Sequence, residues 1–89
     1  MHELSIALSL IEGVEEELAK HGSARVSVVH LRLGRLSGVA KQALLFSYDV
    51  ACEGTRLQGS TLQIEDMPEG TDLQIYALEL KDDDAAASC

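Results

Sequence analysis

Met1-His2-Glu3 opens the chain and gathers an unusual density of nitrogen donors. An α-amino group, the His2 imidazole and the amide nitrogens of His2 and Glu3 lie within two residues of one another. Set in one plane, such donors suit nickel(II) or copper(II), and copper outranks nickel for them. An amide nitrogen coordinates only after losing its proton, so binding needs a strongly polarising metal and releases protons. The same amides open a helix, where the first N–H groups have no intrahelical acceptor, so no helix bond is sacrificed. The positive end of the helix dipole disfavours a cation there; the Glu3 carboxylate and the departed amide protons offset it. The bulk of His2 hinders removal of the initiating methionine. Taken alone, a histidine in second place also reads as chance.

The remaining chemistry-bearing residues have plainer readings. Cys52 ends an amphipathic stretch, where a buried structural thiol is commoner than a nucleophile. His21 reads as a cation near a helix C-terminus, and His30 as an ordinary residue on the polar face of a strand. Glu15-Glu16-Glu17 reads as a solvated helix face. Asp82-Asp83-Asp84 offers little geometry for selecting a cation. The sequence holds no GxSxG, phosphate-binding glycine loop or HExxH, so the expectation is a protein that is not an enzyme.

The elements that position these residues follow from periodicity. Leu4, Ala7, Leu8, Ile11, Val14 and Leu18 form one helical stripe. The spacing predicts a helix from about Glu3 to His21, with Gly22 as its C-terminal cap. Val29, Leu31 and Leu33 alternate with His30 and Arg32, predicting a strand over 25–33 that Gly34 ends. A loop over 35–39 leads to a second helix from about Lys41 to Cys52, with Leu44, Leu45, Tyr48 and Ala51 facing inward. Thr61–Glu65 is a short strand, 66–71 a turn, and 73–80 a last strand whose alternation is less clean. The predicted fold is α/β in composition, an α+β two-layer domain of order α-β-α-β-β. Two helices cover one face of a three-stranded mixed sheet. The first two strands are expected parallel, because a helix joins them, and the last two are expected to form a hairpin.

With 89 residues, the chain fits one small domain: residues 1–80 as the domain and 81–89 as a disordered acidic and small-residue tail. Apolar residues make up 46%, but only Phe46, Tyr48 and Tyr76 are aromatic, so the core must be aliphatic. The net charge of −8 repels phosphate backbones and anionic membranes and favours a metal cation or a basic protein patch. No stretch approaches a membrane span and the opening is acidic rather than leader-like, so the expectation is a soluble, cytoplasmic chain. Cys52 and Cys89 make no disulfide framework.

The wording of the sequence adds a resemblance. Met1-His2-Glu3-Leu4-Ser5 is similar to the opening of the HypA/HybF family, and Val29-His30-Leu31-Arg32-Leu33-Gly34-Arg35-Leu36-Ser37-Gly38-Val39 resembles its V-x-L-x-(I/L)-G-E-L-S-G-V segment. Glu53-Gly54-Thr55, Leu62-Gln63-Ile64-Glu65 and Gly70-Thr71-Asp72-Leu73-Gln74-Ile75-Tyr76-Ala77-Leu78-Glu79 follow in the family's order. The resemblance implies a metallochaperone that binds nickel(II) at His2 with help from the N-terminal backbone, with Glu3 tuning the site. It implies delivery to the large subunit of nickel–iron hydrogenase, in some bacteria also to urease, with a HypB-type GTPase as partner.

Three departures qualify that implication. The family carries a zinc domain with two CxxC pairs between its last two strands, where this chain has only 66–71; no structural zinc is expected. Arg35 stands where the family usually has glutamate. Ala40 and Lys41 replace the acid that some members carry after S-G-V. Two further readings stay beside nickel transfer. One is an interaction module that docks a basic partner through the acidic first helix. The other is an open sheet face made sticky by Val26, Val28 and Leu78, better suited to a homodimer than to a small-ligand pocket.

Overall fold

The computed structural model describes residues 2–22 and 24–82. Helix α1 spans Glu3–Leu18 and is continued by a 3₁₀ turn, Ala19–His21. Strand β1 spans Ala24–Gly34, helix α2 Lys41–Ala51, strand β2 Thr61–Met67 and strand β3 Leu73–Asp82. The expected element order and the two-layer arrangement of two helices on a three-stranded mixed sheet are both present. The strand order is β2-β1-β3, with β1 parallel to β2 and antiparallel to β3. The parallel first pair was expected, and the α2 crossover explains it. The hairpin was not found. β1 holds the centre because it carries the densest buried row, Val26, Val29, Leu31 and Leu33, so the two later strands flank it and never pair.

A crossing connection therefore replaces the expected tight turn. Residues 68–72 must span about 10 Å, two inter-strand spacings, and they do so over the end of β1. Gly34 N–H donates to Asp72 O at 2.8 Å, Arg35 N–H to Met67 O at 3.0 Å and Leu36 N–H to Gly70 O at 2.9 Å. A side chain on Gly34 would run into Gly70 O, with its Cβ 2.7 Å from Gly70 C and 3.1 Å from Asp72 O. Glycine at 34 is required by this approach rather than merely a strand terminator.

Two bulges explain the uneven alternation of the strands. β1 gains one residue between Val26 and Val28, and β3 gains one between Ile75 and Ala77. At the first, Ser27 Oγ donates to Glu79 O at 3.0 Å, so a hydroxyl serves a ladder position that the bulge disturbs. The shifts put Val26 and Val29 on the core side and align Leu73, Ile75 and Leu78 beside them. Val26 and Leu78 are thus not on the open sheet face, contrary to expectation: Val26 is fully buried and Leu78 packs against the core.

Helix α1 differs from its expected stripe in a similar way. Its buried row is Glu3, Ala7, Ile11, Val14 and Leu18, while Leu4 and Leu8 are about half exposed. The helix ends in a 3₁₀ turn because tighter bonds satisfy its last carbonyls, and Gly22 leaves it at φ 70°. Arg56, from the segment after α2, completes that end. Its guanidinium donates to Leu18 O at 3.3 Å and Gly22 O at 2.9 Å, and its N–H donates to Glu15 Oε2 at 3.2 Å. A tail was expected over 81–89, but β3 runs through Asp82, so its first two residues belong to the strand; 83–89 lie outside the described residues.

Candidate metal centre at the start of the first helix

His2 is the N-cap of α1, exposed, with its C=O accepting Ile6 N–H at 2.9 Å. Its side chain makes no capping hydrogen bond, so the imidazole is not consumed in stabilising the helix start. Met1 lies outside the described residues. Glu3 points the other way. Its side chain is buried against the core-facing side, and Ala40 N–H donates to its Oε2 at 3.1 Å. Hydrogen bonding, with the N–H groups of Ala40 and of Glu3 itself among the donors, holds its carboxyl down to about 2, against the opposing effect of burial. A carboxylate placed this way anchors the helix start to the loop before α2 and is charged throughout the physiological range.

Ala40 is in turn the N-cap of α2 and has no side chain to serve as cap. Sequence reading treated this position only as a missing acid. Its backbone, which any residue but proline would supply, is what Glu3 holds, so no residue-type signal could have found it. Next to it, Lys41 Nζ lies 2.7 Å from Asp66 Oδ2. These two and Arg35 line a cleft of about 350 Å³ between the 35–41 segment and the crossover. The two departures noted in the sequence thus converge on one cleft beside the start of α2, where one of its two cations already has a carboxylate partner.

The other candidates stay apart from this site. Cys52 is 3% exposed, and burial pushes its thiol up, which disfavours the nucleophilic thiolate. The Tyr48 hydroxyl, close by, pairs with Ser60 Oγ at 2.7 Å. His30 lies on the sheet face away from the helices, with Nε2 2.7 Å from Glu79 Oε2. On the same face Arg32 stacks over the Tyr76 ring at 4.1 Å. Glu15 is engaged by Arg56, so the acidic triplet is not a uniformly free face. His21 closes the 3₁₀ turn. Among the described residues no group of three or more His, Cys, Asp or Glu side chains could hold a metal ion.

A mixed-sheet α+β domain whose first helix begins with His-Glu is the class of protein that this fold and this site define. A family model described as hydrogenase/urease nickel incorporation, metallochaperone, hypA matches residues 1–89, and the chain belongs to the HypA family. It is 63% identical over 76 residues to hydrogenase maturation factor HypA of Roseiflexus sp. (strain RS-1), a match covering 85% of this chain and 58% of that protein. It is 46% identical over 68 residues to hydrogenase maturation factor HybF of Salmonella typhimurium, covering 76% of this chain and 60% of that one. The chain thus spans about three-fifths of the length of these curated relatives. The solution structure of the nickel metallochaperone HypA from Helicobacter pylori superposes with a TM-score of 0.80 at 18% identity, over 93% of this chain and 100% of that one, a likeness of fold. No helix among the described residues is long and apolar enough to cross a membrane.

Proposed function

We propose that this chain binds nickel(II) as cargo at its N-terminus and passes it on in the maturation of nickel–iron hydrogenase, with urease as a second destination, without catalytic turnover. The observation that carries the reading is His2 itself: an exposed, uncapped imidazole at the start of α1 in a chain of the HypA family. The donors are the α-amino group of Met1, the His2 imidazole and amide, and the Glu3 amide. Glu3 contributes its backbone and its anchoring of the helix start, because its carboxylate is already committed to Ala40 N–H. Nitrogen donors in this set favour a square-planar ion. By kinship with hydrogenase maturation factors, the partners are a HypB-type GTPase and the hydrogenase large subunit, met in the cytoplasm. No structural zinc is included in this reading, since the sequence holds two cysteines and Cys52 is buried.

Titration of nickel(II) into the untagged chain, followed by visible absorption, tests this. The expected result is one equivalent bound with a square-planar band, lost in His2→Ala and in a chain extended before Met1. Equal binding in all three proteins overturns the N-terminal site.

A further inference from the structure

The groove between α1 and β3 has no role in the nickel reading and does not depend on it. It encloses about 400 Å³ and is lined by α1 and β3 alone, Leu10, Gly13, Val14 and Glu17 facing Leu73, Ile75 and Leu78. No residue of β1 or α2 contributes, so it follows the outer margin of the sheet. There β3, ten residues long, has no strand beyond it among the described residues. We propose that this groove receives an extended, basic peptide segment of a partner protein, which adds to the free edge of β3 as a further strand.

Each feature of the groove specifies one property of the occupant. The edge of β3 presents a row of backbone N–H and C=O groups, a template that another extended backbone matches. Leu73, Ile75 and Leu78 are half-buried and Leu80 is exposed, so the added strand needs apolar side chains at alternate positions on the helix side. Gly13 lies within α1, where glycine is among the poorest helix formers. A Cβ there would meet nothing within 4 Å, so packing within the chain does not demand it. The open space beside it leaves room for a backbone to settle against α1. The rim carries Glu17, with exposed Glu16 beside it, and Lys20 answers Glu17 only at 3.6 Å. In a chain of net charge −8 this calls for a basic partner, and it disfavours a second copy that brings the same charge.

The test uses a labelled peptide of alternating lysine and valine, followed by fluorescence anisotropy. It is made also with N-methyl groups on every second amide, in both phases. Binding should survive methylation in one phase and weaken about tenfold or more in the other, because only one edge of an added strand bonds to β3. Gly13→Leu should weaken binding to a similar degree while its Tm stays at or above that of the unaltered chain. Replacing the lysines of the peptide by glutamate should also weaken binding. Equal affinity for both methylated peptides overturns strand addition, and undiminished binding by a folded Gly13→Leu protein overturns the groove as the site. No binding at all, with a dimer that Gly13→Leu dissociates, assigns the groove to a second copy and overturns the proposal.

Discussion

Glu3 shows how two neighbouring residues divide one task. His2 keeps its imidazole free in solvent, while Glu3 turns inward and ties the helix start to Ala40 N–H. Its carboxyl is depressed from an ordinary 4.5 to about 2. A depressed carboxyl contributes stability that is present above the unfolded value and lost as pH falls through the folded one. The stability difference between the unaltered chain and Glu3→Gln should therefore be fully present at about pH 5 to 6 and close between about pH 4.5 and pH 2. Urea denaturation at a series of pH values measures it. A difference that persists at pH 2 would show that the side chain acts through packing rather than charge. The donor set proposed at Met1-His2-Glu3 rests on residue types alone, and the inward turn of Glu3 was not legible from them. In the sequence Leu4 has the better claim to the core; only the contact with a residue 37 positions away makes a carboxylate fit there.

Among the elements, the crossover over 68–72 is the one that sequence reading misjudged. A proline beside a glycine between two apolar runs is the ordinary sign of a tight turn, and it carries no information on whether the flanking strands pair. Strand pairing is settled by which strand buries most, and here β1 takes both neighbours. Gly34 is where the crossover touches β1. Gly34→Ala should therefore destabilise the chain by about 2 kcal/mol, in the range of overpacking changes, read from the urea midpoint at an unchanged m-value. A neutral result would mean that the crossover yields to an added methyl. Gly13→Ala, with no neighbour to meet, should instead be neutral or stabilising. The less clean alternation of 73–80 has its cause in the bulge at Tyr76, between the partners of His30 and Leu31.

For the molecule as a whole, one core serves every element. Leu18, Val29, Leu31, Leu44, Tyr48 and Leu57 are each 1% exposed or less and join both helices to the sheet. A chain of this size leaves little margin of burial. As no structural zinc is expected, its folding should follow a single transition whose Tm is unchanged by a chelator such as EDTA. A Tm that falls on chelation would reveal a structural metal.

The sequence by itself determined the two helices, the three strands, the parallel first pair, the aliphatic core and the family, because periodicity and short motifs are local properties of a chain. The proposed nitrogen-donor set at Met1-His2-Glu3 likewise rests on neighbours in the chain alone. The tertiary structure alone decided that β1 is central, that Gly34 is pressed by Gly70, that Arg56 completes the end of α1 and that Glu3 faces Ala40. Each joins residues far apart in the chain, and such contacts follow from which surfaces bury together, a competition among all the elements at once that no single segment records.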